Sequence, residues 1–99
     1  MPQDTVEQLS SSAGRTVVDV RSNEEWKDGR MPGARHLFLG DLVERTRDLP
    51  RDLPITTVCQ GGTRSAIAAS LLRAEGFTDV HNLPGGFEAW ERAGLPVEK

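Results

Sequence analysis

Short apolar runs alternate with helix-like stretches along the chain, the order in which a mostly parallel α/β sheet is written. Thr16-Val17-Val18-Asp19-Val20 is β-branched and bounded by Gly14 and polar residues, which predicts a buried strand. Ser22 then serves as an N-cap, and Glu25 three residues on completes a capping box for a short helix through Asp28. Gly29 ends that helix, and Met31-Pro32-Gly33-Ala34 turns into a second strand over Arg35–Phe38. Asp41–Leu49 reads as an exposed helix stopped by Pro50. Ile55–Val58 is the next strand and runs straight into Cys59-Gln60-Gly61-Gly62-Thr63-Arg64. A helix is predicted over Ser65–Glu75, with Ala66, Ile67, Ala69, Ser70 and Leu71 giving small and aliphatic faces and Gly76 at C′. Val80-His81-Asn82 is a last strand. Pro84-Gly85-Gly86 leads into a final helix with Phe87 and Trp90 on one face, closed by Gly94 and Pro96.

With 99 residues and no internal repeat or composition break, residues 1–99 are expected to form one domain. The 36% hydrophobic and 27% charged content is ordinary for a globular chain. A net charge of −3 argues against nucleic acid or a membrane surface as partner, since either needs a basic face. Apolar runs are too short to span a bilayer, and Met1-Pro2-Gln3-Asp4 lacks the basic and apolar regions of a signal peptide. The single cysteine excludes an internal disulfide. A cytoplasmic protein with one thiol is the resulting expectation.

The position of that thiol is informative. Cys59 ends a strand, and a glycine-containing loop separates it from a helix N-terminus. Ligands of open α/β sheets bind outside the carboxyl ends of the strands. None of Gln60, Gly61, Gly62, Thr63, Arg64 and Ser65 is proline, so each has an N–H to aim inward as an anion nest. Gly61 and Gly62 permit the positive φ such a curl demands. The same field favours the thiolate, the reactive form, below the ~8.5 of a free cysteine. Arg64 adds a fixed charge suited to an anionic substrate. A lone cysteine is often only a small buried hydrophobe, but the strand–Cys–Gly-Gly–Arg–helix context favours a nucleophile. His36 and His81 are not placed beside Cys59 by anything in the sequence, and two histidines without acidic neighbours at ligand spacing make a poor metal site.

These residues resemble the signatures of the rhodanese family. Asp19-Val20-Arg21, Glu25-Trp26 and Gly29-Arg30-Met31-Pro32-Gly33-Ala34 are similar to its first signature, and Cys59 to Ser65 to its active-site loop. Gly76-Phe77, Asn82-Leu83 and Gly85-Gly86-Phe87 with Trp90 resemble its C-terminal signature. The resemblance covers about residues 14 to 97. It implies a sheet of about five mostly parallel strands with helices on both sides, and a sulfurtransferase without metal or organic cofactor. It further implies that Cys59 is the nucleophile and sulfur carrier, taking sulfane sulfur from thiosulfate or a glutathione persulfide and passing it to a thiol or cyanide. Gln60 to Ser65 would bind the substrate, and Asp19 and Arg21 would form a polar framework in which Arg21 pairs with Glu25. The family usually has histidine where this chain has Arg30, which should alter a local hydrogen bond or the charge near the site mouth.

Four rival readings follow from the same residues. A cysteine phosphatase or arsenate reductase on this fold uses five residues between cysteine and arginine, whereas Cys59 and Arg64 have four between them. A persulfide carrier handing sulfur to a protein acceptor would show an apolar rim, with Phe38 or Leu83 as candidates. The stretch Gly76 to Val97 is also similar to rhodanese domains fused behind metallo-β-lactamase-fold persulfide dioxygenases, which would make such a domain the partner. An inactive docking module fits less well, because such modules usually lack the cysteine.

Overall fold

Four parallel strands in the order β2-β1-β3-β4 organise the protein in a computed structural model that describes residues 5–11 and 14–99. They are β1 (Thr16–Asp19), β2 (Arg35–His36), β3 (Ile55–Val58) and β4 (Val80–Asn82). Helices α1 (Val6–Ser11), α2 (Asn23–Asp28), α3 (Thr63–Ala74) and α4 (Gly86–Arg92) connect or flank them, with 3-10 turns at Leu39–Asp41 and Val43–Asp48. The register sets Val18 beside Thr57, and Thr57 beside Asn82, so these three share one face of the sheet.

Strand alternation divides the core in two. Val18, Val20, Ile55 and Val80 pack with Leu42, Leu49, Ala68, Ala69, Leu72 and Phe77 on the α3 side. Val58 packs with Leu9, Met31, Leu83, Phe87 and Trp90 on the other side, under α1 and α4. The sheet is thus covered on both faces, as parallel sheets require.

Several sequence expectations are refined. The sheet has four strands among the described residues, not the five implied by resemblance. Near the chain's end only one antiparallel pair forms, Arg30 with Glu98, too short for a strand. The second strand is two residues long, although the N–H groups of Leu37 and Leu39 still donate to Asp19 O and Val20 O. The region expected as one exposed helix from Asp41 is instead 3-10 and kinked at Arg45, and it buries Leu42, Thr46 and Leu49. α3 begins at Thr63, two residues before the expected start, because Gly62 (φ 110°) already serves as its N-cap. Its buried stripe is Ser65, Ala68, Ala69 and Leu72, and Ile67 faces outward at 50% exposure. α2 carries its capping box as expected: Glu25 N–H donates to Ser22 Oγ at 3.3 Å and Ser22 N–H to Glu25 Oε1 at 3.0 Å.

Helix α1 has no counterpart in the sequence expectations. Its signal is a second capping box, in which Thr5 N–H donates to Gln8 Oε1 at 2.8 Å and Gln8 N–H to Thr5 Oγ1 at 3.2 Å. Residues 1–4, including the Met1-Pro2-Gln3-Asp4 start, lie outside the described residues.

Leu72 is fully buried between α3 and the sheet, so Leu72→Ala leaves a cavity. It is expected to lower unfolding free energy by ~3 kcal/mol, read as a lower urea midpoint with little change in slope.

Candidate active site

In a parallel sheet every strand delivers its carboxyl end to the same edge, and β3 is an inner strand of this one. Cys59 follows β3 directly and is 1% exposed. Its Sγ accepts the Gly62 N–H at 3.0 Å and lies 3.5 Å from Ser65 Oγ. Burial pushes the thiol up, but the Ser65 hydroxyl and the N–H groups of Ser65, Gly62 and Gly61 more than offset it, and the net shift is downward. Of the two loop glycines only Gly62 has a positive φ; a Cβ on Gly61 would meet nothing within 4 Å.

The Gly85-Gly86 turn explains why the loop is held so closely. Phe87 N–H donates to Cys59 O at 2.8 Å and Glu88 N–H to Gln60 O at 3.1 Å, so the start of α4 takes up two loop carbonyls. A Cβ on Gly86 would lie 2.2 Å from Cys59 O, and Gly86 has φ 55°. No side chain fits there. Gly62 in turn abuts Gly85, where a Cβ would be 3.1 Å from the Gly85 nitrogen.

Behind the loop, Arg21 is buried with Asp19, its Nη2 2.8 Å from Asp19 Oδ2. Nη1 donates to Gln60 Oε1 at 3.1 Å, Nη2 donates to Gly29 O at 2.7 Å, and the guanidinium lies 4.3 Å from the centre of the Phe87 ring. The expected pairing of Arg21 with Glu25 is therefore replaced. Asp19 is two residues away along the strand end and already buried, while Glu25 is claimed by Arg64 through bonds of 2.7 and 2.9 Å. That bidentate pair joins the first turn of α3 to α2. The Arg64 fork lowers the Glu25 pKa to about 2, against the cost of burial and with further help from Ser22. Arg64 is itself raised, by Glu25 first and by the Cys59 charge among lesser contributions. A cleft of about 300 Å³ opens beside the loop, lined by Arg21, Glu25, Asp28, Gln60, Phe87 and Glu91 among others.

Other predicted residues fall as follows. Thr63 is exposed at the start of α3. Leu83 is fully buried and forms no part of a rim, whereas Phe38 is 43% exposed. Arg30 lies over the Trp26 ring at 5.1 Å and donates to Trp26 O at 3.4 Å. His36 stacks on Trp26 at 4.8 Å with Nε2 2.7 Å from Arg21 O, and His81 Nε2 is 2.6 Å from Asp79 Oδ1. Neither histidine is bonded to Cys59.

Sequence reasoning assigned no role to Asn82 or Thr57. The Ser65 hydroxyl is bonded to Asn82 Oδ1, and Thr57 Oγ1 donates to Ser65 O at 2.8 Å. Their signal was polar side chains on the inward face of buried strands, at positions 57 and 82.

Residues 2–93 match the model of the rhodanese-like domain. The chain is 37% identical over 98 residues to the thiosulfate sulfurtransferase GlpE of Pseudomonas putida strain F1, a match covering 99% of this chain and 88% of that protein. In structure it is similar to the rhodanese-like domain of the Anabaena Alr3790 protein, with TM-score 0.91 and 32% identity over 99% of this chain and 79% of the other. It is also similar to a Rhodopseudomonas palustris protein described as a possible tyrosine phosphatase, with TM-score 0.85 and 28% identity over 99% and 85% of the two chains.

Two outcomes are expected from this geometry. Gly86→Ala should cost at least ~2 kcal/mol in stability and slow alkylation of Cys59, because the new methyl displaces the loop backbone; melting and iodoacetamide kinetics report the two effects. For Glu25 the folded pKa lies below the unfolded one, so its pair with Arg64 stabilises above the ordinary carboxylate range and is lost as pH falls toward about 2. Wild type should exceed Glu25→Gln by about 1 kcal/mol between roughly pH 5 and 8, since the pair is partly exposed. The difference should shrink below roughly pH 4.3 and vanish near the folded value; urea titrations across pH check it.

Proposed function

The chain belongs to the rhodanese-like domain family, and from that premise we propose that it is a thiosulfate sulfurtransferase working through a persulfide on Cys59. The observation that carries the reading is the cysteine itself: a buried sulfur whose pKa is lowered by the Ser65 hydroxyl and the N–H groups of Ser65, Gly62 and Gly61. Hydrogen bonding of this kind favours the thiolate, which is the nucleophilic form.

In the first half-reaction the Cys59 thiolate attacks the sulfane sulfur of thiosulfate. The new S–S bond forms as the old one breaks, and sulfite leaves with the bonding electron pair. In the second, an acceptor thiolate or cyanide attacks the outer sulfur, and Cys59 recovers its electron pair as thiolate. Charge balances at each step, and no proton need move when both partners enter ionised. Loop N–H groups that stabilise the thiolate are placed to stabilise the persulfide too. Arg64 lies within the electrostatic reach of Cys59, and an anionic donor would compete with Glu25 for its fork. The donor class includes low-molecular-weight persulfides such as glutathione persulfide, and the acceptor is a thiol. Asp19, Arg21 and Glu25 act by positioning the loop.

A phosphatase reading finds less support. The loop places four residues between Cys59 and Arg64, and the fork of that arginine is bonded to Glu25 instead of facing a phosphate-sized space.

The test is to incubate the protein with thiosulfate, then measure intact mass and cyanide-dependent thiocyanate. A gain of one sulfur atom with turnover is expected, and Cys59→Ala should show neither. Mass gain without turnover would assign the persulfide to a protein acceptor. No loading by thiosulfate or glutathione persulfide overturns the reading.

A further inference from the structure

Ser65 Oγ has three neighbours able to accept its proton: Asn82 Oδ1, Gly62 O at 3.1 Å and Cys59 Sγ at 3.5 Å. A hydroxyl has one proton to give. When Cys59 is a thiol, the chain is consistent in one direction: S–H donates to Ser65 Oγ, and Ser65 donates to Asn82 Oδ1. When Cys59 is a thiolate it can only accept, so the Ser65 proton must turn to the sulfur. Ser65 Oγ and Asn82 Oδ1 would then face each other as two acceptors inside the core, where Ser65 is fully buried and Asn82 is 6% exposed. Such a contact is costly.

Asparagine removes the conflict. A half-turn of its amide exchanges oxygen for NH2 at the same place, and Nδ2–H can then donate to Ser65 Oγ. We propose that Asn82 is a positioning residue whose amide reverses the direction of the Asn82–Ser65–Cys59 hydrogen-bond chain as the sulfur ionises, holding the Ser65 proton on the thiolate. The bond orders are unchanged and nothing leaves the chain; only the sulfur's own proton departs to solvent. The geometry is fixed from outside, because Thr57 Oγ1 donates to Ser65 O at 2.8 Å and lies 3.3 Å from His81 O, bracing α3 against β4. An ionised aspartate is an acceptor only and can serve just the thiol arm, and an aliphatic residue can serve neither.

The charged groups around the site are Arg64 on α3, Asp19 and Arg21 at the end of β1, and Glu25 on α2. On β4, His81 neighbours Asn82 and is bonded to Asp79. Arg21 with Asp19, Arg64 with Glu25, and His81 with Asp79 are each close oppositely signed partners when charged, which leaves the Ser65 hydroxyl as the orientable dipole at the sulfur.

The proposal deepens the sulfur-transfer reading, since the thiolate begins and ends that cycle, and its catalytic meaning rests on it. The test reads titration of the thiol without sulfur transfer, so the two can fail separately. The pH profile of Cys59 alkylation by iodoacetamide is measured in wild type, Asn82→Asp, Ser65→Ala and the double variant. Asn82→Asp should raise the midpoint by at least one unit, about a tenfold slower reaction at pH values below both midpoints. In the Ser65→Ala background the same change should move the midpoint by less than half as much. An unmoved midpoint, or an equal shift with and without the hydroxyl, overturns the relay. Wild-type protein supplies a second readout that needs no folded Asn82 variant. The ¹⁵N side-chain signal of Asn82 should move with the Cys59 midpoint and stay still across it in Ser65→Ala. A wild-type signal that ignores the Cys59 titration overturns the proposal equally.

Discussion

A guanidinium at 1% exposure is tolerable only if its charge and its N–H groups are answered, and Arg21 meets that demand with partners from four segments near the cysteine. Asp19 supplies the countercharge, Gly29 O closes the end of α2, Gln60 belongs to the cysteine loop, and Phe87 lies under the cation from α4. Removing one partner of such a buried pair leaves a bare charge and costs 3–5 kcal/mol in general. The ion therefore acts as a common origin from which the loops are measured. Its cost in desolvation is offset only when all of them are in place, which makes their arrangement cooperative.

A second constraint acts on the opposite side of the loop and is purely steric. The first N–H groups of α4 reach the Cys59 and Gln60 carbonyls because residue 86 has no side chain. Arg21 thus supplies attraction, and the glycine pair supplies closeness. Between them the loop N–H groups are turned inward to the sulfur, against the burial that alone would keep the thiol protonated. Hydrogen bonding outweighs desolvation here because several donors converge on one atom.

The sequence makes the local features legible. The capping box at Ser22 and Glu25, the strand leading into Cys59 and the glycines before Phe87 all follow from neighbouring residues whose physics is short-ranged. What it leaves open is partner choice across the sheet. Glu25 was within sight of Arg21 along the chain, yet Arg64, 39 residues away, holds it. Asn82 and Ser65 are 17 apart and meet only because β3 and β4 pair in register and α3 packs on their shared face. The 3-10 segment differs for another reason: the stretch before Pro50 reads as one exposed helix, whereas the chain kinks at Arg45 and buries Leu42 and Leu49 in the core. Resemblance overstated the sheet by one strand, since the pairing at Glu98 does not propagate.

The lowered acidity of Cys59 also ties chemistry to folding. A thiol whose folded pKa lies below its unfolded one adds stability that is complete above the unfolded value and disappears as pH falls through the folded value. Ionising this sulfur is thus equivalent to binding a small stabilising ligand. Since the donors responsible come from residues that α3 and α4 must first bring together, an opened chain has an ordinary thiol. The completed fold is therefore what favours the thiolate, and opening the chain favours the thiol.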